Sequence, residues 1–479
     1  MTVTDQRRDP GAVAATSDVA GITAGPAPAD PMTAAGSGVF TRGSVVRHVL
    51  VMTGTATVGI MAIFVVDLLS LLYVARLGRT ALTAGVGYAS QVLFYPVAVN
   101  IGLAIGVTAL VSRALGAGDV SRARRLAASG LTYAALLSGL VAAGLLPMAG
   151  AAVRLLGATG EPADVATRFL WITLPANVPF ALGMVLSGVL RAAGDARRAM
   201  YVTLIGAVVT GIIDPILIFG LGLGADGAAL STVVARLVFL AVGAWGVVKV
   251  HGLVRWPTLA SLLADLRPVL AIALPAVATN LATPVGNSFV LHVVSRFGHE
   301  AVAATTVIDR LVPVAFGVLF ALSGAVGPVL GQNLGAGRFD RVNATLNASF
   351  GLVAGYVLVA WAALAVLAPG IVALFGVEGE AATYVTFFCR VGVSAWMFIG
   401  FLFVANASFN NLGFAWLSMV FNWGRASLGT IPFVALGAAY GGVIGAQIGL
   451  AAGAALFGLG ALATAYVVTA RLAGTAAPR

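Results

Sequence analysis

Two acidic residues lie inside long apolar stretches of this sequence, where a charged side chain is costly and therefore indicates a function. Asp67 occurs in the run Ile63-Phe-Val-Val-Asp-Leu-Leu-Ser-Leu-Leu72, and Ser70 follows it by about one helical turn. Asp214 comes directly before Pro215 and four residues after Thr210. Carboxylates and hydroxyls in such places can bind and release a proton or a small hard cation.

Pro215 changes the surroundings that we expect for Asp214. Proline has no N–H and its ring clashes with the carbonyl four residues earlier, so a kink should free the carbonyl oxygen of Gly211. That oxygen, the carboxylate and the hydroxyl of Thr210 would then form a set of oxygen ligands. If Asp67 and Asp214 face one cavity, they cannot both be ionised comfortably, and we expect one of them to hold a proton.

Asp309 and Arg310 are two further charged residues within an apolar stretch. Neighbouring residues point about 100° apart on a helix, so these two need not pair with each other. Either can form a structural ion pair between helices or line the path of a substrate, and both interpretations stay open. The uncharged polar residues that can line a cavity, or equally join helices by hydrogen bonds, are Tyr88, Gln91, Asn100, Asn177 and Asn287. Three arginines nearer the ends of apolar stretches are predicted to be structural or to reach the interface: Arg236, Arg390 and Arg425.

Composition places all these residues in a membrane protein. Of the 479 residues, 60% are hydrophobic and 9% are charged, with a mean hydropathy of +1.01, whereas soluble domains carry about 25% charged residues. Apolar runs of about 20 residues, long enough to cross a bilayer, follow one another from His48 to Ala470. The single Cys389 excludes a disulfide framework. Because no catalytic set or phosphate-binding loop occurs, we predict a protein that is not an enzyme and needs no cofactor.

The sequence repeats itself after about 219 residues. Arg113-Ala-Leu-Gly-Ala-Gly118 returns as Gln332-Asn-Leu-Gly-Ala-Gly337, and Val74-Ala-Arg-Leu-Gly78 returns as Val294-Ser-Arg-Phe-Gly298. Six membrane spans in each copy account for this offset. An even number of spans gives both copies the same orientation, so a pseudo-twofold axis should run along the membrane normal. We therefore predict an all-α integral membrane fold of twelve transmembrane helices in two six-helix lobes.

The predicted boundaries follow from the apolar runs. The first six helices are predicted near 47–74, 82–112, 127–156, 163–190, 199–221 and 227–249. The second six are predicted near 268–296, 301–331, 343–375, 380–409, 414–437 and 440–470. The corresponding domains are a disordered cytoplasmic tail over 1–44, an N-lobe over 45–250, a cytoplasmic linker over 251–267, a C-lobe over 268–471 and a cytoplasmic tail over 472–479.

The basic residues predict the orientation. Most of the 27 Lys and Arg lie in the tails and in loops on one side of the predicted spans, which is the bias of cytoplasmic loops. We expect a multi-pass protein of the plasma (inner) membrane with both termini in the cytoplasm. Because the net charge of +10 is spread over short loops, it indicates topology and not a nucleic-acid partner.

Several of these motifs together resemble the multidrug and toxic compound extrusion (MATE) transporters. The motifs are Ala109-Leu-Val-Ser-Arg-Ala-Leu-Gly-Ala-Gly-Asp119, Leu190-Arg-Ala-Ala-Gly-Asp195, Asp214-Pro-Ile-Leu-Ile-Phe-Gly220, Gly227-Ala-Ala-Leu-Ser-Thr232 and Gly331-Gln-Asn-Leu-Gly-Ala-Gly337. The resemblance covers about residues 45–470. It implies two six-helix lobes around a central cavity, and export of organic, often cationic, compounds against an influx of H⁺ or Na⁺.

The resemblance also implies a cation site in the N-lobe. Matched by motif, that site would use Asp214, Thr232 and an acid of the first span, and a possible Na⁺ would bind at Asp67, Asp214 and Thr232. The family usually has its acid four residues before the Val-x-x-Leu-Gly signature, a position that Ser70 occupies here. Thr210 stands where the family often has Asn. We assign cation or proton coupling to Asp67, Asp214, Thr210, Thr232 and Ser70.

The two halves differ at the acids. Asn287 is the repeat counterpart of Asp67, and Ile431 stands before Pro432 where Asp214 stands before Pro215. The shared positions are turns, prolines and glycines, which belong to the scaffold. We therefore expect the coupling chemistry in the first half.

Three functions are compatible with these features. The first is a secondary antiporter that exports organic, cationic or amphipathic compounds in exchange for H⁺ or Na⁺ by alternating access. The second is a flippase for a lipid-linked precursor, which typically needs several cationic residues in its cavity, and few arginines lie at mid-span here. The third, a channel or a structural membrane protein, does not explain buried acids in duplicated halves. The expected partners are small organic molecules and the lipid bilayer, and the expected state is a monomer.

Overall fold

The computed structural model describes residues 38–476, which are almost entirely helical. The first six spans are α1 Val45–Ala75, α2 Thr80–Gly116, α3 Val120–Leu155, α4 in two parts (Gly160–Thr173 and Asn177–Ala192), α5 Ala196–Gly220 and α6 Ala225–Val250. They are followed by α7 Leu259–Val294, α8 His299–Gly335, α9 Phe339–Phe375 and α10 in two parts (Gly379–Arg390 and Ala395–Leu412). The last helical stretch, Ala415–Thr475, holds α11 and α12.

This last stretch is two helices and not one. As a single straight helix its 61 residues would be about 90 Å long, roughly three times the hydrocarbon thickness of a bilayer. The backbone leaves the helical conformation at Gly441 and at Gly442, whose φ of 58° favours glycine. A methyl group on either Gly437 or Gly445 would overlap the backbone of the other. The parts 415–440 (α11) and 443–476 (α12) therefore pack side by side, and the twelve predicted helices are present in the described part of the chain.

The predicted boundaries of the C-lobe differ from the structure at both of its ends. α7 begins at Leu259, where Thr258 and Ser261 form a capping box, so the helix includes most of the linker predicted over 251–267. The polar residues 259–267 can be helical because Arg125 and Ser129 donate hydrogen bonds to Asp265. At the other end, the tail predicted over 472–479 is helical up to Ala476, and 477–479 lie outside the described residues.

The predicted N-terminal tail is wrong for residues 38–44, while 1–37 lie outside the described residues. Val39–Thr41 forms a turn of 3₁₀ helix, and only 2% of Phe40 is exposed. Phe40 belongs to a small apolar cluster with Met52, Ala196, Ala325 and Val329. Sequence composition could not indicate this order, because it depends on helices far away along the chain.

The two lobes, α1–α6 and α7–α12, are in close contact at one end of the bundle. We call the end that holds Ser44 the terminal end and the opposite end the far end. At the terminal end, a methyl group on Gly116 would overlap the backbone of Gln332, and one on Gly335 would overlap the backbone of Arg113. At the far end, the described apolar clusters each draw their buried residues from a single lobe. The described apolar clusters that combine residues of both lobes, which include those of Val45 and Val49 and of Phe40, therefore lie towards the terminal end.

The first half of α7 is bound to the N-lobe by a buried ion pair. Asp265 is 2% exposed, and its Oδ1 accepts a hydrogen bond from Nη2 of Arg125 at 3.1 Å. Its Oδ2 accepts one from the hydroxyl of Ser129 at 2.9 Å. The pair fixes the segment that joins the two lobes, so it should matter for stability.

We expect Asp265→Ala to lower the free energy of unfolding by about 2 kcal/mol, less than for a fully buried pair because 45% of the Arg125 side chain is exposed. Thermal unfolding of the purified protein would measure this. Asp340→Ala is the matched control, because Asp340 forms an exposed pair with Arg338, which should contribute less than about 1 kcal/mol. Equal losses in the two variants would contradict the prediction.

Candidate functional site

Asp214 lies at the point where α5 changes its helical geometry. Its side chain is fully buried, and the regular α-helix ends one residue later at Pro215. The next five residues, Ile216–Gly220, form a π-helix. Pro215 lacks the N–H that would bond back to the carbonyl of Gly211, and π-helical segments often occur at functional sites.

Two serine hydroxyls bind the carboxylate of Asp214. The hydroxyl of Ser70 in α1 donates to Oδ2, and the hydroxyl of Ser231 in α6 donates to Oδ1. Hydrogen bonds to an ionised acceptor are the stronger ones. An ionised Asp214 therefore joins three helices, α1, α5 and α6, at one buried point.

Asp67 lies beside this point but in a different environment. It is on α1, about one turn before Ser70, and its side chain is exposed where that of Asp214 is buried. Because Ser70 bonds to Asp214, the two acids lie in the same part of the N-lobe. The structure thus brings together Asp67, Ser70 and Asp214 from the predicted site, with one acid accessible and the other enclosed.

The two threonines predicted for this site do not donate to Asp214. The hydroxyl of Thr210 donates to the carbonyl of Gly206 at 2.9 Å, and that of Thr232 donates to the carbonyl of Ala228 at 2.9 Å. Among the described residues it is the neighbouring Ser231 that donates to Asp214, and the assignment of Thr232 to the coupling site stays a prediction. The sequence motif could not separate the two, since only the rotation of α6 decides which of two adjacent side chains faces α5.

Two of the predicted cavity residues join helices instead. Asn100 and Asn177 are 2% and 1% exposed. Nδ2 of Asn100 donates to Oδ1 of Asn177 at 2.8 Å, and Nδ2 of Asn177 donates to the carbonyl of Ser138 at 3.3 Å. The cavity assignment is wrong for this pair, which links α2, α3 and α4 and represents the alternative considered for such residues.

The other predicted cavity residues are not buried, and their place in a substrate cavity stays a prediction. Tyr88 is half-buried against the far-end cluster of the N-lobe, and the exposed ones are Gln91, Asn287, Asp309 and Arg310. Among the described residues, neither Asp309 nor Arg310 forms an ion pair. The structural interpretation of these two charges therefore has no support, and their role on a substrate path stays a prediction.

Arg236 has a structural role that its sequence position only partly indicated. It is 7% exposed, and its Nη1 donates to the carbonyl of Thr173 at 2.9 Å. Its guanidinium also lies 5.0 Å from the centre of the Phe180 ring. α4 bends by 56° between Thr173 and Asn177, so Arg236 satisfies a carbonyl at the end of the first part of α4. The prediction of a structural residue holds, but the side chain is enclosed and does not reach the interface.

Comparison with known proteins agrees with this architecture. The family model MatE matches residues 56–216 and 275–451. The FAD transporter of Shewanella oneidensis is 27% identical over 414 residues, which cover 84% of this chain and 90% of that protein. A probable multidrug resistance protein NorM of Thermotoga maritima is 25% identical over 272 residues, covering 54% of this chain and 57% of that protein.

A solved structure supports the fold. It is described as the outward-facing conformation of a multidrug resistance MATE family transporter, and it superposes with a TM-score of 0.85 over 90% of this chain and 98% of its own. The sequences are 22% identical, so this likeness concerns the fold. The family match on both halves of the repeat carries the assignment. The chain belongs to the MatE family, whose members are membrane transporters and not enzymes.

Proposed function

We propose that this MatE transporter exports small organic compounds in exchange for protons, and that Asp214 carries the proton. The observation that supports this is the position of Asp214: a fully buried carboxylate held by hydroxyls from two other helices. An ionised carboxylate in such a place is costly without its hydrogen bonds. Protonation removes the charge and with it most of the strength of those bonds.

The accessible Asp67 is the proposed relay to Asp214. A proton that reaches this site meets Asp67 first, because Asp214 is enclosed. Asp67 lies one turn from Ser70, which bonds to Asp214, and two carboxylates that share one site favour the state in which one of them is protonated. The pair can therefore accept one proton readily and resist full ionisation.

α1 is the proposed link between this proton site and the C-lobe. Ser70 of α1 binds Asp214, while earlier residues of the same helix contact α8. The rings of Phe64 and Phe320 lie 6.3 Å apart, and Met61 packs against Gly317. A change in the hydrogen bond at Asp214 would therefore move a helix that touches both lobes, as alternating access requires.

The hydroxyl arrangement favours H⁺ over Na⁺ as the coupling ion. A hard cation needs several oxygen ligands, and each carboxylate oxygen of Asp214 already uses one of its two acceptor sites for a hydroxyl proton. The hydroxyls of Thr210 and Thr232 are directed at carbonyls of their own helices. A proton needs no such cage, because it binds to a single carboxylate oxygen.

The proposed orientation has the terminal end in the cytoplasm. The loops and helix ends on that side hold most of the arginines, among them Arg122, Arg124, Arg125, Arg197 and Arg198, which follows the positive-inside bias. With that orientation the close contact between the lobes at the terminal end lies on the cytoplasmic side. We propose a monomeric protein of the plasma membrane in which the start of α1 and the end of α12 both lie on the cytoplasmic side.

The proposed substrates are organic compounds of the kind that multidrug transporters export. A phosphorylated compound such as a flavin dinucleotide is the second candidate, because one relative is named an FAD transporter and the exposed Arg310 has no acidic partner among the described residues. Lipid-linked precursors share this phosphate chemistry. The charge of the transported compound distinguishes the two candidates.

Transport in proteoliposomes tests the proposal. We expect an imposed pH gradient to drive uptake of a lipophilic cation such as ethidium into vesicles with the terminal end outside, and an imposed Na⁺ gradient to leave it unchanged. Transport driven by Na⁺ alone would exclude protons as the coupling ion. If FAD moves and ethidium does not, the second substrate candidate replaces the first. Movement of neither compound, with no proton flux, would overturn the proposed exporter.

Ser231 and Thr232 offer a comparison of adjacent hydroxyls. We expect Ser231→Ala to lower proton-coupled transport by roughly tenfold, because a hydrogen bond to a charged group contributes about 1.5–3 kcal/mol. Thr232→Ala should change it by less than about twofold, since that hydroxyl donates to its own helix. Initial transport rates at equal protein content give the comparison. A larger loss in Thr232→Ala would mean that Thr232, as the motif suggested, serves Asp214.

A further inference from the structure

The lobes hold each other at the terminal end by two hydrogen bonds that the repeat relates. Nε of Arg113, at the end of α2, donates to the carbonyl of Asn411, at the end of α10, at 2.8 Å. Nε2 of Gln332, at the end of α8, donates to the carbonyl of Ala192, at the end of α4, at 2.7 Å. Gln332 is the repeat counterpart of Arg113, and Asn411 lies 219 residues after Ala192. Each lobe therefore donates to the corresponding helix end of the other, and Arg113 donates in addition from Nη2 to the carbonyl of Asn410 at 3.1 Å.

The side-chain amide of Gln332 forms a second hydrogen bond. Oε1 of Gln332 accepts a hydrogen bond at 2.8 Å from the backbone N–H of Phe40. The same amide thus binds the segment before α1 with its oxygen and the opposite lobe with its nitrogen. We call residues 38–43 the N-terminal strap. By fixing Oε1, the strap orients the amide of Gln332 for its bond to Ala192.

The C-lobe binds the backbone of the strap with charged and amide groups. Arg341, at the start of α9, donates to three strap carbonyls: Nη2 to Phe40 at 2.7 Å, Nη2 to Arg42 at 3.2 Å and Nη1 to Gly43 at 2.9 Å. Nδ2 of Asn333 also donates to the carbonyl of Phe40, at 3.3 Å. Nε of Arg341 donates to Oδ1 of Asn333 at 3.0 Å, which holds the two binding groups together.

The side chain of Phe40 is buried between the two lobes. Its cluster combines Met52 and Ala196 of the N-lobe with Ala325 and Val329 of the C-lobe. The strap backbone is close to both lobes as well, because Val39 packs on Gly194. The pocket of Phe40 therefore exists only while the lobes are together at the terminal end.

We propose that the N-terminal strap is a conformational latch that stabilises the state closed at the terminal end and must release before that end can open. A group that binds only one of two states shifts the equilibrium by its differential affinity. Separation of α8 from the N-lobe would divide the Phe40 pocket and break the bond from Gln332 to Ala192. The latch acts on one side of the pseudo-twofold axis only, so it adds to the symmetric contacts without belonging to the repeat.

Pulsed electron–electron resonance on spin-labelled protein in nanodiscs tests the latch. One label pair reports the terminal end, at the exposed sites Ser121 and Ala344, and the other reports the far end, at the exposed sites Thr159 and Glu378. Each pair has one site in each lobe. The native Cys389 is replaced by Ser in every sample, and the labelled cysteines are introduced in that background.

We expect Phe40→Ala to raise the ratio of terminal-open to terminal-closed protein by roughly tenfold or more, as the loss of a buried phenyl ring implies. Arg341→Gln should act in the same direction. Distances should lengthen at the terminal pair and shorten at the far pair. Arg338→Gln is the matched control, because Arg338 binds the exposed Asp340 and not the strap, and its distances should equal those of the unmodified protein.

Three results would overturn the latch. The first is an unchanged distance distribution in both Phe40→Ala and Arg341→Gln. The second is an equal shift in Arg338→Gln, which would indicate a general effect of charge. The third is broadening at both ends, because the strap would then hold the fold and not select a conformation. These readouts need no substrate or coupling ion, so they stand apart from the outcome of the transport assays.

Discussion

Replacing Asp214 with Asn is expected to abolish proton-coupled transport, with initial rates falling by at least about 100-fold, as when a proton-transferring group is removed. Asparagine has nearly the same shape and can still bond to Ser70 and Ser231, so the three helices should stay together. It cannot take up or release a proton near neutral pH. Transport driven by a pH gradient in proteoliposomes measures the loss, and thermal unfolding checks that the protein remains folded.

The control for this change is Asp164→Asn, which removes the same charge from an exposed site in α4 near the far end. It should leave transport within about twofold, since single exposed charges contribute little. Asp67→Asn should be intermediate, because Asp67 relays the proton and Asp214 retains it. Coupled transport that survives in Asp214→Asn would mean that the proton binds elsewhere. In that case Asp309 would become the next residue to replace.

The acids of this site could be predicted because a charged side chain within a membrane span is costly and therefore rare. A carboxylate within an apolar run has few explanations other than function, and Asp67, Ser70 and Asp214 indeed lie together. Hydroxyls and amides carry no such signal, because their cost in a helix is small and their partners are decided by helix rotation. For that reason the sequence does not distinguish Ser231 from Thr232, and it leaves cavity lining and helix joining equally open for Asn100 and Asn177.

The number of helices and the division into two related halves could be predicted. Both follow from the sequence itself, through its apolar runs and its repeat, and need no knowledge of which helices pack together. The exceptions depend on distant partners. α7 begins early because Arg125 and Ser129 bind Asp265, and residues 38–43 are ordered because Gln332 and Arg341 bind them. In each case a polar or irregular segment is stabilised by groups more than 100 residues away, which no local pattern reveals.

The two glycines that end α2 and α8 should be the most sensitive positions of the scaffold. Gly116 lies on the backbone of Gln332, and Gly335 lies on the backbone of Arg113, so an added methyl group would have to displace main chain. We expect Gly116→Ala and Gly335→Ala each to destabilise the terminal-closed state by about 1–3 kcal/mol, the usual cost of overpacking. The double variant should be held open at the terminal end and transport at least about tenfold more slowly.

Distance measurements at the terminal and far label pairs would show whether the closed state is the one affected. Gly355→Ala in α9 is the control, because a methyl group there meets open space and alanine favours a helix over glycine by about 1 kcal/mol. The repeat leads to a further expected result. Because the two contacts are counterparts across the pseudo-twofold axis, Gly116→Ala and Gly335→Ala should shift the equilibrium by similar amounts, whereas the strap variants act on one side alone. A large effect from one glycine and none from its counterpart would mean that closure depends on the strap side, and that the symmetric grip between the lobes is not what holds the terminal end together.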